Sequence, residues 1–372
     1  MKRILALACL IGFSSMLNAQ ATDTTVCDVL KNPAAFNNKI VQIKGTVAAG
    51  FDSFILQGPD CGKSVDAIWL QYPDGTKAKS GPAAMVVLQP AQNFAGKVAP
   101  APARTPVTLD ASKDFKHFDS ALASQMKGDD MCLGCSKNMV EATLTGRIDA
   151  VEPIQQRDAS GKITALAGFG NLNLYPVRLV IQSVSNVVEH PIDFKKDAAI
   201  AGTASEAEAA PRVSQSFASS ISFQEHPKRA AEAFGKQGDN NGVVVIMTNP
   251  GVLSDKLDNQ SPTQSPDGIN YNCLMNSDRL KGDAMTRAIA HIGEHIADIR
   301  QPEPTISSTN LYQLEYRAWM TTMLSAMITG QKVLEIPGGY TLYSSARPQT
   351  NLNSNTDATM TAFFSTEAML SR

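Results

Sequence analysis

From Lys39 to Val47 the chain alternates, with Val41, Ile43 and Val47 set between Gln42, Lys44 and Thr46. A period of two predicts a strand with one face in a core. Asn37-Asn38 marks a turn before it, and Val26–Leu30 reads as a short helical turn. Phe51–Gln57, Ala67–Tyr72, Glu141–Ile148 and Val177–Val188 repeat the strand signal, each bounded by Gly, Pro, Asn or Asp. Five strands are the complement of a small barrel.

Between the third and fourth of these strands, at about residues 75–138, the composition changes. Met85–Leu88 is apolar, but Pro90, Pro100, Pro102 and Pro106 with intervening Ala and Gly describe a loose extended run. Lys113–Lys127 reads as a short helix, and Asp110, Asp114 and Asp119 as a solvated acidic face without the spacing of an EF-hand loop. This stretch is expected to be an insertion in the barrel, which would occupy residues 22–196. Residues 197–216 are rich in Ala, Ser, Glu and Gly and read as a linker. Residues 217–372 are expected to form a mainly α-helical domain. There the pattern predicts a helix near Pro227–Gly235, a buried strand at Val243–Thr248, a polar loop over Asn249–Ile269, and helices at about Ser277–Arg300 and Asn310–Gly330. The fold class is therefore α+β.

Composition restricts the partners. Of 372 residues, 33 are Lys or Arg and 35 Asp or Glu, a formal charge of −2. No basic excess points to nucleic acid or to an anionic membrane surface. The aromatics Phe51, Phe54, Trp69 and Tyr72 have Asp52, Asp66 and Asp74 as neighbours rather than Lys and Arg, so they read as core packing and not as a stacking platform for single strands.

The first 21 residues have the three parts of a signal peptide: Lys2 and Arg3, an apolar run from Ile4 to Leu17, and Ala19-Gln20-Ala21. Cleavage is expected near Ala21. The apolar run is too short and too broken by Gly12, Ser14 and Ser15 to span a bilayer. Cys9 lies in the middle of that run, where a lipidation site does not belong. Stable membrane insertion is not expected, and the location is periplasmic or secreted. That environment is oxidising, so Cys27, Cys61, Cys132 and Cys135 read as disulfide partners before metal ligands. Proximity favours Cys27 with Cys61 and Cys132 with Cys135, although five cysteines allow fifteen arrangements of two bridges; Cys273 is then left over. Cys132-Leu133-Gly134-Cys135 lacks the preceding βαβ pattern of a thioredoxin-like centre, and Asp129 and Asp130 oppose thiolate formation.

Cys27–Pro33, Asn37–Lys39, Val41–Val47, Gly50-Phe51, the Cys61 to Leu70 stretch, Ala142–Arg147, Gly168–Gly170 and Arg178–Val184 together resemble an uncharacterised family of exported bacterial proteins with an OB-like N-terminal module. The resemblance covers about residues 26–188. It implies a five-stranded OB-like barrel with an interrupted middle and no particular activity, since such barrels bind oligonucleotides, sugars, peptides or proteins.

The sharpest chemical motif lies in the other half. His291-Ile292-Gly293-Glu294-His295 has the H-x-x-E-H order of the inverted zinc peptidases, in which two His on one helical face hold zinc and the Glu activates water. In that reading His291 and His295 are ligands, Glu294 is the general base, and Glu367, or else Glu335, is the third ligand that a catalytic zinc needs. Against it stands an amphipathic helix with Met285, Ala288, Ile289, Ile292, Ile296 and Ile299 on one face, the two His beside them, and Arg287, Glu294 and Asp298 toward water. The Met-rich helix Asn310–Gly330 reads as helix-on-helix packing. The expectation is an exported, non-catalytic binding protein for an envelope or extracellular protein, peptide or glycan, with no cofactor. The alternative is a zinc-dependent hydrolase.

Overall fold

The computed structural model describes residues 21–58, 67–98, 104–125, 138–152, 155–191, 225–235, 240–252, 264–301, 311–329, 335–336 and 340–341. Residues 1–20 of the expected signal peptide, Cys61, Cys132, Cys135, the expected linker at 197–216 and Glu367 lie outside them.

The strands are β1 (Thr22–Thr24), β2 (Ile40–Ala49), β3 (Phe54–Gln57), β4 (Ala67–Gln71), β5 (Ala84–Pro90), β6 (Lys97–Val98), β7 (Asn138–Ala150), β8 (Gln155–Arg157), β9 (Ile163–Leu166), β10 (Val177–Pro191), β11 (Val243–Met247), β12 (Ile269–Met275), β13 (Glu335–Ile336) and β14 (Tyr340–Thr341). The helices are α1 (Val26–Lys31), α2 (Pro33–Phe36), α3 (Lys113–Gln125), α4 (His226–Phe234), α5 (Asp283–Arg300) and α6 (Leu311–Ile328).

Five strands close a barrel in the order β2-β3-β4-β10-β7, with β7 returning to β2. Every pairing in it is antiparallel except β4 with β10. The alternation read from the sequence sets the faces: Val41, Ile43 and Val47 are inside, and Gln42 and Lys44 are exposed. Phe54, Leu56, Trp69, Leu70, Leu144 and Ile181 complete the core. All four aromatics of the first strands are buried, as core packing requires. Strands β7 and β10 approach so closely at Gly146 that a Cβ there would collide with the Val180 carbonyl. The ladder slips between Ile181 and Ser183, and the Gln182 carbonyl accepts from Asp110 N in the inserted segment.

Inside the expected insertion, Ala84–Pro90 is a packed strand and not a loose run. It pairs antiparallel with β12, Ala84 opposite Met275 and Pro90 opposite Ile269, and β11 adds on the far side of β12 in parallel. This three-stranded sheet thus takes one strand from between the barrel strands and two from the second half of the chain. Of the prolines that suggested extension, Pro90 ends the strand and the others lie beyond it. Strand β12 falls just beyond the expected polar loop, in a stretch read as no element. Strand β11, expected to be buried, is a half-buried edge with Met247 50% exposed.

Val86, Leu88, Ile269, Tyr271, Cys273 and Met275 of this sheet form a second core with Ile292, Ile296, Leu314 and Trp319 of α5 and α6. Helix α4 packs on α5 where Gly293 leaves no room for a Cβ beside the Ala230 carbonyl. Among the described residues no helix is long and apolar enough to cross a membrane. Cys27 is disulfide-bonded, while Cys273 is a buried free thiol. Asp119, expected at a solvated face, is buried and accepts from Lys79 N, Ser80 N and Ser80 Oγ.

The barrel also contains an ion cluster. Fully buried Asp149 accepts from Arg147 Nε at 2.6 Å and Nη2 at 2.9 Å and from Arg178 Nε at 2.9 Å. Burial alone would raise its carboxyl, but the hydrogen bond from Arg147 and the charges of both arginines outweigh that and lower it. A carboxyl lowered in the folded state stabilises the fold above its unfolded value of about 4, and that contribution fades as pH falls through the lower folded value. Asp149→Asn is therefore expected to lose about 3 kcal/mol at neutral pH, with the gap to the parent narrowing below about pH 4. Urea unfolding of both chains across pH 7 to 2 measures this; a gap independent of pH would contradict it.

Candidate metal centre

The tight turn between β2 and β3 is closed by Gly50 N donating to Ser53 O at 2.8 Å. Its Phe51 carbonyl accepts from Ala83 N and Ala84 N at the start of β5, which fixes the turn against the second sheet. Asp52, next in the chain, is thereby aimed at α5. His291 and His295, four residues apart, occupy one face of that helix and are buried.

Three donor atoms converge there. Asp52 Oδ2 lies 3.3 Å from His291 Nε2 and 3.6 Å from His295 Nε2, and the two Nε2 atoms are 3.0 Å apart. One ligand atom from each residue falls within 4.8 Å of the others, so the group can hold a metal ion. Tetrahedral zinc with bonds of about 2.0–2.1 Å needs donors about 3.3–3.4 Å apart. An octahedral face on similar bonds needs about 3.0 Å. Two of the three observed edges exceed the octahedral value, and the set brackets the tetrahedral one.

The surroundings prepare each donor. Thr322 Oγ1 donates to Ala318 O at 2.7 Å, which leaves its oxygen to accept from His291 Nδ1 at 3.4 Å. That contact holds the ring with its Nε2 toward Asp52 and His295, the usual outer contact of a ligating imidazole. Phe51 and Trp319 stand edge-on to the His291 ring at 4.9 and 4.7 Å and wall off that side. Burial alone would raise the Asp52 carboxyl, but hydrogen bonds from His291 and His295, with their positive charge, hold it well below the usual carboxylate range. It is thus ionised, the form that binds a cation. Its side chain is 12% exposed, and is the donor in contact with solvent.

Glu294, the remaining polar member of the motif, belongs to a different structure. Its Oε1 accepts from His226 Nδ1 and Arg229 Nη1, both at 2.7 Å, on the side of α5 that faces α4. Arg229 Nη2 donates to Asp298 Oδ1 at 2.8 Å, and Arg317 Nε of α6 to Asp298 Oδ2 at 2.9 Å. Arg287, Glu294 and Asp298, expected to point toward water, are all buried. The correction is physical: helices on both sides of α5 supply counter-charges, so charged positions become interhelical contacts and the amphipathic pattern misleads. Glu335 is placed in β13.

The sequence named both His as candidate ligands, while Asp52 entered it only as an acidic neighbour of Phe51. An acid in a tight turn between two barrel strands was the available signal, and nothing along the chain linked that turn to a helix 239 residues away. Compared with family models, with curated proteins and with solved structures, the chain matches none.

Arg229 is expected to be structural. Arg229→Ala leaves two buried carboxylates facing each other without their shared cation, and should cost about 3–5 kcal/mol in urea unfolding. A loss under about 1 kcal/mol would show that the network contributes little.

Proposed function

We propose that this chain is an exported, non-catalytic binding protein whose ligand is a divalent transition-metal ion, zinc first, held by Asp52, His291 and His295. The observation that carries this is the convergence of one carboxylate oxygen and two imidazole nitrogens at 3.0, 3.3 and 3.6 Å. Two nitrogens and one oxygen form a borderline donor set that suits zinc. Bound there, zinc would supply a fixed positive charge and Lewis acidity. The chain's own residues hold the site ready: Thr322 orients the His291 ring, and Asp52 joins the barrel to α5.

Binding is favoured over hydrolysis because the motif's carboxylate is engaged by His226 and Arg229. The strand order 2-3-4-10-7, with its single parallel pairing, supports the OB-like reading of the barrel. The disulfide at Cys27 supports an oxidising location, with Cys61 as its proposed partner. The leader pattern of the first 21 residues supports export to the periplasm or beyond.

Metal analysis and calorimetry of the purified full chain are expected to give about one zinc per chain, lost in His291→Ala and in Asp52→Ala but kept in Glu367→Ala and Glu294→Gln. Free zinc at 100 times its dissociation constant should stabilise the fold by about 2.7 kcal/mol. A folded chain that binds no zinc, or an Asp52→Ala variant that binds it as the parent does, would sink the proposal. Iron in place of zinc would keep the site and change its metal.

A further inference from the structure

Among the described residues, the outer edge of β5 is paired with side chains rather than with another strand. A short 3-10 turn, Asn171–Asn173, lies along it. Asn173 Oδ1 accepts from Leu88 N at 3.0 Å, and its Nδ2 donates to Leu88 O at 3.0 Å. Two residues back along the strand, Asn171 Oδ1 accepts from Val86 N at 2.9 Å. The two carboxamides thus stand in for a neighbouring strand. They differ in one respect: Asn171 Nδ2 turns from β5 and donates to Asp52 Oδ2 at 2.8 Å. That oxygen is the one facing both histidines. Asn171 is itself buried.

We infer that Asn171 is the positioning residue of the metal centre, setting the Asp52 carboxylate for the ion by bridging it to the β5 backbone. This rests on the zinc-binding reading of the site. The turn carrying Asp52 leaves the side chain free to rotate about its own bonds. Two kinds of contact oppose that rotation: those with the histidines that would share the ion, and the one with Asn171. The buried amide supplies the direction toward α5 before any ion arrives. Its chemistry fits this role, because it donates to the carboxylate without adding charge that would compete with the metal. A ligating carboxylate held this way keeps its orientation, and loss of such an outer contact typically weakens metal binding about 10–100-fold.

Asn173→Ala is the control, since it strips the same strand edge of its partner and leaves Asp52 untouched. Zinc titration and the visible spectrum of the cobalt-loaded protein are recorded for the full parent chain, Asn171→Ala and Asn173→Ala. The expected result is zinc affinity about 10–100-fold weaker and a shifted cobalt spectrum in Asn171→Ala, with parental affinity and spectrum in Asn173→Ala. Equal affinity and equal spectra in both variants would overturn the inference. If Asn171→Ala does not fold, the parent still decides: the Asn171 side-chain amide resonance must move when zinc is added, and an unmoved resonance overturns it. A parent that binds no zinc refutes the metal site itself, a result distinct from either.

Discussion

The antiparallel pairing of β5 with β12 is the contact on which the rest of the molecule depends. Strand β5 leaves the barrel between β4 and β7 and is claimed by a strand from the far half of the chain. Along its length it also receives the Phe51 carbonyl at Ala83 and Ala84 and the side chains of Asn171 and Asn173. Helix α5 packs against the same sheet. With the turn on one side and the helix on the other, Asp52 and the two His are brought within hydrogen-bonding range. Neither the barrel nor the helices alone would place these groups together.

Two kinds of buried polarity coexist in α5 and serve different ends. On one face, Glu294 and Asp298 are matched by cations from α4 and α6, so each charge has a partner and the helix is tied to both neighbours. On the other, His291, His295 and Asp52 bring three potential ligand atoms close together, an arrangement that suits a shared cation. A charge-paired network resists change, whereas a cluster of inward-facing ligand atoms is where an ion would gain most.

The sequence displayed those parts of the fold in which one face meets water. Strand β2 was legible because its outer residues are polar and exposed, and the ends of α3 and α6 were legible to within about two residues. Strand β12 was not, because both of its faces are buried: Asn270 and Asn272 sit inside, with Asn272 donating to Gln89, and buried amides break the alternation that marks a strand. Strand β5 was masked by Pro90 at its end and by the prolines that follow. The paired His were visible at helical spacing, but the direction of Glu294 was not, since it is set by His226 and Arg229 some 65 to 68 residues earlier. Asp52 was least legible of all, because its role exists only in three dimensions.

The separation of 239 positions between Asp52 and His291 also sets an order of events. In a zinc finger the ligands are neighbours, and the ion can gather them before the rest of the chain is folded. Here the donor set is split between a turn near the start of the described chain and a helix near its end, and closing so long a loop is slow. The architecture must therefore assemble first, and an ion held there would be acquired last. Metal at this centre would report that folding is finished rather than set it in motion.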